Sequence, residues 1–392
     1  MTAVATVALA VLSAACSNLS ASSAGSPGGG TDATYTITLS GDRSGPYAEA
    51  GTADMNGFQA YVDGVNDKGG VNGHKISLKV LDDQSDVPTA LANYQQTLSS
   101  DSLGFFEQND NNVSNAIGAK AQQDGIAVSS IGGFHSGVGV YPYNYTMGPT
   151  AAQFFATIAK FASVHVKKTA GATAEFIAYD DANTETYAKP LGAALATDGI
   201  KLVGSQLVPT TSIDLTLAAS NFAAKHPALV VTALQDGAPM ISMVTGLRAH
   251  GYTGPIINFD SNVGDATMKK LNDPQVYLIG YTADSADTSN PAVETMLSVA
   301  AKHGLTAGSD QYFYVNGYML AKLVVQAVGT CGDSCTRKSF NSALANTKTS
   351  GDGLMAGTIG FSPSDHDMVS SLIIDQWDGT KGYLVPIAGF GF

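Results

Sequence analysis

Ser44-Gly45-Pro46-Tyr47, then Gly69-Gly70-Val71-Asn72-Gly73, then Asp82-Asp83-Gln84-Ser85-Asp86: these three polar stretches, and what lies between them, decide the fold. Before the first, Tyr35, Ile37 and Leu39 alternate as one face of a strand does, and before the third, Ile76, Leu78 and Val80 repeat the pattern. Between the first and second, Met55, Phe58, Val62 and Val65 recur at helical spacing and make one apolar stripe. The glycine-rich turn ends that helix, because glycine accepts positive φ and extends a helix only at a cost. The result is strand, loop, helix, turn, strand, with both polar loops leaving the same ends of parallel strands.

The alternation continues down the chain. Pro88 opens a helix with Leu91, Tyr94 and Leu98 on one face, and Gly104-Phe105-Phe106 is a short strand. A polar loop from Glu107 to Asn112 leads into a helix ending at Asp124, and Ile126-Ala127-Val128 is the next strand before the loop Ser129 to Gly139. Tyr141 to Pro149 breaks the rhythm with aromatics and prolines, which marks a crossover. A second series has strands at 176–179, 202–208, 229–233, 256–259 and 276–279, with helices near 187–197, 215–225, 239–250 and 266–271. Helices at 291–303, 310–328 and 336–345 follow, then strands at 371–376 and 383–386. Repeated βα units imply parallel sheets with right-handed crossovers. A length of 392 residues suits two lobes better than one core.

Charged residues make up 14% of the chain and the net charge is −13, which argues against nucleic acid and against a polybasic membrane surface. Thr2 to Ala15 is apolar, rich in small residues and too short to span a bilayer, so it reads as a signal peptide ending at Cys16. Residues 17–34 are rich in Ser, Gly and Ala, as a flexible tether is. No G-x-S-x-G, G-x-x-x-x-G-K-[ST], H-E-x-x-H or post-strand G-x-G-x-x-G occurs, and His135-Ser136 has no identifiable orienting carboxylate. The chain therefore does not read as an enzyme, and neither cofactor nor metal is expected.

Gly45-Pro46-Tyr47-Ala48, the turn Asn66 to Gly73, the Asp82-Asp83 pair, Asp310-x-x-x-Tyr314 and Gly360-Phe361-x-x-x-x-Asp365 together resemble the substrate-binding proteins of branched-chain amino acid ABC transporters. The resemblance runs from about Tyr35 to near the C-terminus. It implies an α/β fold of the type I periplasmic-binding-protein kind, two Rossmann-like lobes with parallel sheets joined by a three-crossing hinge. Lobe 1 is expected at 35–145 and 284–357, and lobe 2 at 146–283 and 358–392. Leu12-Ser13-Ala14-Ala15-Cys16 resembles a lipobox, which implies a lipid on Cys16 and an extracytoplasmic, membrane-anchored protein; a plain secretory signal with an incidental cysteine is the alternative. With Cys16 so assigned, Cys331 and Cys335 satisfy parity as one local disulfide.

Ligands of open parallel sheets bind outside the carboxyl ends of the strands. The loops there offer Tyr47, Asn109, Asn111, Ser130 and Phe134 from the first lobe, and Asn183, Gln235, Asp236 and Asp260 from the second. Mostly neutral hydrogen-bonding groups with a few aromatic faces and carboxylates orient a small polar or amphipathic solute. Arg43, Asp181, Tyr187 and Asn262 lie on the same loops. In amino acid binders of the family, hydroxyls and amides matching 109–112 and 129–134 hold the ligand carboxylate, and a carboxylate near Asp260 holds the ammonium. Here Asn111 replaces the usual serine, and Ile131-Gly132-Gly133-Phe134 replaces a hydroxyl-rich segment, so amides and small organic acids join amino acids as expected solutes. The expected partners are that solute and the permease and ATPase subunits of an ABC importer, with the protein a monomer. A ligand-sensing receptor that signals through a partner without transport is the second reading. Asp82 and Asp83 also fit as loop-ordering groups.

Overall fold

The computed structural model describes residues 34–108, 111–130, 142–166, 171–180, 184–234, 237–259, 263–306 and 311–391. The signal segment with Cys16, and the tether up to Ala33, lie outside them. The first half of the chain gives β1 (Thr34–Gly41), α1 (Ala48–Asp67), β2 (Lys75–Asp82), α2 (Val87–Leu98), β3 (Gly104–Gln108), α3 (Asn111–Asp124), β4 (Ala127–Ser130) and β5 (Asn144–Thr146). These strands form one parallel sheet in the order β2-β1-β3-β4-β5, with Ile37 opposite Leu78 and Leu39 opposite Phe106.

Then follow α4 (Ala151–His165), β6 (Thr173–Tyr179), α5 (Ala188–Ala196), β7 (Lys201–Val208), α6 (Thr216–Ala223), β8 (Leu229–Ala233), α7 (Gly237–Ala249), β9 (Ile256–Asn258), α8 (Asp265–Leu271) and β10 (Val276–Gly280). Three helices come next, α9 (Pro291–His303), α10 (Gln311–Cys331) and α11 (Arg337–Leu344). The chain ends with β11 (Lys348–Ser350), β12 (Thr358–Gly360), β13 (Ser371–Asp378) and β14 (Tyr383–Gly391). The second sheet runs β14-β13-β10-β9-β8-β6-β7. It is parallel except that β13 and β14 pair antiparallel on the β10 side. The pair β11-β12 is a separate antiparallel hairpin.

Helix α4 is absent from the strand-and-helix reading of the sequence. Its signal is local: Thr150 and Gln153 form a capping box, and Phe154, Phe155, Ile158 and Phe161 lie on its buried face. Strand β5 and the hairpin are likewise missing from that reading, since Asn144-Tyr145-Thr146, Lys348-Thr349-Ser350 and Thr358-Ile359-Gly360 hold no apolar run to mark a strand.

The chain passes between the two sheets three times: from β5 to α4, from β10 to α9, and from β12 to β13. These crossings are tied to their neighbours by backbone bonds. Thr146 donates its N–H to His366 O and accepts from Met368 N–H, each at 2.8 Å. Ala283 N–H donates to Leu354 O at 2.8 Å, and Ala356 N–H to Tyr281 O at 2.9 Å. The His366 ring stacks on Tyr145 with centroids 4.6 Å apart.

Helices α9 and α10 pack on α1 and so return the chain to the first sheet. Arg337, at the start of α11, reaches the end of α2. Its Nε donates to Ser102 O at 2.8 Å, and its Nη2 to Thr97 O at 2.9 Å and Ser100 O at 2.8 Å. A cation there meets the negative end of the helix dipole and satisfies carbonyls that α2 leaves open. Arg337→Ala is expected to cost roughly 2–4 kcal/mol in urea denaturation, by leaving several half-buried carbonyls unpaired. Arg337→Lys should recover less than half of that, because an ammonium cannot fork across the set.

Candidate functional site

The carboxyl end of β1 turns at Asp42, which is almost fully buried. Its carboxylate accepts from the backbone N–H of Gly45 at 2.5 Å and of Tyr47 at 2.8 Å, and from the Ser85 hydroxyl at 3.0 Å. The loop closes so tightly that a Cβ on Gly45 would lie 2.5 Å from Gln84 O, and only glycine fits. Tyr47 is thereby held at the mouth of α1, with 53% of its surface exposed.

The second acidic pair orders the neighbouring loop. Asp82 accepts from Ser44 Oγ at 2.7 Å and from the N–H groups of Arg43 (2.9 Å) and Gln84 (3.1 Å). Burial alone would raise this carboxyl; the three donors and the Arg43 charge outweigh it and hold the group below the usual carboxylate range. Asp83, buried, accepts from Ser40 Oγ at 2.7 Å and Ser85 N–H at 3.0 Å. Asp86 caps α2 by accepting from Thr89 N–H at 3.0 Å. These carboxylates are occupied by their own loops, which is the loop-ordering role. Asp42 likewise forms no ion pair with Arg43.

At the end of β4, Ser130 is buried and its Oγ has no hydrogen-bond partner among the described residues. Its backbone is fully engaged, since Ser130 O accepts from Met147 N–H at 2.8 Å and the residue sits opposite Thr146 of β5. An orphaned hydroxyl at the carboxyl end of a parallel strand is a donor and acceptor awaiting a partner.

On the second sheet, Asn258 fixes the strand ends. Its Oδ1 accepts from Thr232 Oγ1 at 2.8 Å and Leu234 N–H at 3.0 Å, and its Nδ2 donates to Leu234 O at 3.3 Å. Sequence reasoning passed over this residue, whose signal is one amide inside the apolar run Ile256-Ile257-Asn258-Phe259. Tyr187, expected on a cleft loop, instead has its ring in the core, edge-on to Phe155 at 5.5 Å and near Phe259 at 6.1 Å.

Of the expected binding residues, the structure places Tyr47 and Ser130 at carboxyl ends of the first sheet, and Asn111 at the first position of α3. Asn109, Phe134, Asn183, Gln235, Asp236 and Asp260 lie outside the described residues. Cys331 and Cys335 are joined across the end of α10, with Cα atoms 5.2 Å apart. No helix among the described residues is long and apolar enough to cross a membrane. A surface groove of about 980 Å³ between α10 and α11, lined by Lys338, Ser342 and Lys348 among others, is away from these strand ends.

A family described as periplasmic binding protein matches residues 34–382. Among solved structures, a branched chain amino acid ABC transporter protein from Thermus thermophilus with bound valine is 15% identical, with a TM-score of 0.75 over 92% of this chain and 97% of that one. A solute binding protein of an ABC transporter from R. palustris in complex with 4-hydroxybenzoate is 17% identical, with a TM-score of 0.74 over 92% and 97%. A fatty acid ABC transporter substrate-binding protein from Thermomonospora curvata is 19% identical, with a TM-score of 0.72 over 93% and 94%. At these identities the likeness is one of fold.

Proposed function

This chain belongs to the periplasmic binding protein family, and from that premise we propose that it captures a small polar or amphipathic solute outside the cytoplasm and hands it to the permease and ATPase of an ABC importer. The solute is an amino acid, an amide or a small organic acid. The observation that carries the reading is the buried Ser130 hydroxyl, without a partner among the described residues at a carboxyl strand end, on the same sheet as a loop that Asp42 holds in shape around Tyr47. Tyr47, Asn109, Asn111, Ser130 and Phe134 contact the solute from one side, and Asn183, Gln235, Asp236 and Asp260 from the other. The protein works without catalysis. Cys16 carries the lipid that anchors it, residues 17–34 form the tether, and the protein acts as a monomer with its one disulfide at Cys331 and Cys335.

Transfer works through hinge closure. A solute shifts the balance between open and closed lobes only to the extent that it binds them differently, so it must touch both. The three crossings, 147–150, 281–290 and 361–370, lie outside the helices and the two large sheets and are the elements that absorb such a rotation. The test is a thermal-shift screen of amino acids, amides, aromatic carboxylates and fatty acids. At least one solute should raise the melting temperature, by an amount equivalent to about 2.7 kcal/mol at a hundredfold excess over Kd. Ser130→Ala should weaken that solute about tenfold, the worth of one buried hydrogen bond, while leaving the melting temperature without solute unchanged. No shift across the panel, with nothing co-purifying in native mass spectrometry, would defeat the reading.

A further inference from the structure

Three carboxyl groups meet at the root of the second crossing, where β10 gives way to the segment leading to α9. Leu384 N–H on β14 is shared between Asp265 Oδ1 at 3.1 Å and Asp284 Oδ2 at 3.2 Å, so two carboxylates from different elements converge on one donor. Asp375, on β13, sits opposite Leu278 of β10 and is only 8% exposed. Its carboxylate accepts no hydrogen bond from any described residue, and it presses so closely on the last residue of β10, directly before the crossing, that a Cβ on Gly280 would lie 2.7 Å from its Oδ2. An ionised carboxylate so placed is desolvated, faces two like charges and has nothing to compensate it.

We propose that Asp265, Asp284 and Asp375 form a proton-operated latch on the second crossing: with a proton aboard the cluster holds residues 281–285 in place, and fully ionised it lets them go. Burial, and then the Asp284 charge, push Asp265 up to about 7; burial, then Asp284 and Asp265, push Asp375 up to about 7. Asp265 and Asp284 converge on one N–H, which cannot compensate two ionised carboxylates at once.

Other charges around the cluster are turned elsewhere. On α8, Lys269 and Lys270 are exposed in the last turn. On the crossing and β14, Asp287 accepts from the Tyr383 hydroxyl at 3.1 Å, and Lys381 lies over the Tyr383 ring. On α4, which packs against β13, Lys160 lies over Phe390 and His165 stacks on Phe161. No group of three or more His, Cys, Asp or Glu among the described residues is arranged to hold a metal ion. A proton is therefore the neutralising partner that the geometry accommodates.

An unfolded aspartate titrates near 3.9, so between about pH 4 and pH 7 the folded chain holds more protons than the unfolded one. Stability from this cluster is full below that window and is lost as pH rises through about 7. The proposal concerns motion at a crossing and so rests on the hinge reading above, but its test needs no solute and can fail or succeed independently of solute binding. Full-length protein and Asp375→Asn are melted at pH 5.0 and pH 8.0 in EDTA. The same samples are followed by hydrogen exchange in peptides covering residues 281–285. The wild type should lose roughly 2–4 °C more than the variant between the two pH values. Residues 281–285 should also exchange faster at pH 8.0 than the intrinsic rate change explains, in the wild type alone. Equal pH dependence in the two proteins would overturn the proposal, as would restoration of protection at pH 8.0 by added calcium, which would put a cation in the proton's place. If Asp375→Asn fails to fold, carboxyl NMR of the wild type decides the matter: an aspartate titrating near 7 supports the latch, and all aspartates titrating near 4 overturn it.

Discussion

Gly317→Val is expected to leave the protein without a cooperative fold. A Cβ at Gly317 of α10 would lie 2.0 Å from Asp54 O and 2.3 Å from Asp54 Oδ1 on α1, and a Cβ at Gly57 of α1 would lie 2.0 Å from Tyr314 O on α10. The two helices therefore touch backbone to backbone through one glycine from each. No rotamer relieves a clash with a carbonyl held inside a helix; the helices must part instead. Parting them opens the layer that buries Phe58, Tyr314 and Val315. A loss above about 5 kcal/mol is comparable with the whole stability of most domains. Gly64→Ala on the same α1 supplies the contrast. Its Cβ would meet only the Val299 side chain, at 3.2 Å, and helix propensity there favours alanine by about 1 kcal/mol. Circular dichroism and urea denaturation should show Gly64→Ala within about 1 kcal/mol of the wild type, and Gly317→Val with no transition. A sharp, native-like melt of Gly317→Val would show that the helices do not meet as described.

The contrast between these glycines bears on what the sequence could disclose. Ile37 and Leu39, or Met55 and Phe58, announce their elements because a strand hides every second residue and a helix every third or fourth. The βα order followed from that period. Orientation did not: Leu372 and Ile374 alternate as any strand would, and nothing in them says that β13 runs against β10. Helix α4 escaped because its capping box directly follows an aromatic and proline stretch that reads as a crossover, although Thr150 and Gln153 were there to mark it. The close approach of Gly57 and Gly317 is a pairing across 260 positions, and no local pattern encodes it. At the site, residue types at strand ends were legible as a class, since polar loops there are what a parallel sheet offers a ligand. Which of them order the loop and which face outward was not legible. Asp42 is one more acidic residue beside Arg43 in the sequence, yet it accepts three hydrogen bonds from its own loop and from Ser85. Asn258 looked like one polar residue in an apolar strand, yet it ties the ends of β8 and β9 together. Such roles depend on contacts between segments distant in the chain, whose geometry the residue names do not contain.

Asp42→Ala carries the second large expected effect, and it separates shape from capture. Removing the carboxylate leaves the Gly45 and Tyr47 N–H groups and the Ser85 hydroxyl without their acceptor in a site that water barely reaches. Three donors so stranded should cost roughly 3–5 kcal/mol, the range for breaking a buried charged network. Asp42→Asn keeps the volume and one acceptor oxygen, and should lose about half as much. If the loop positions Tyr47 against the solute, affinity for the solute found in the screen must fall at least about tenfold in Asp42→Asn, with helix content unchanged in circular dichroism. The reverse pattern, full solute affinity on a destabilised protein, would mean that Asp42 serves the fold alone and that Tyr47 lies outside the binding surface. The Asn variant decides between these because it stays folded: the loop's geometry is then the only quantity changed, and solute binding reports on that geometry directly.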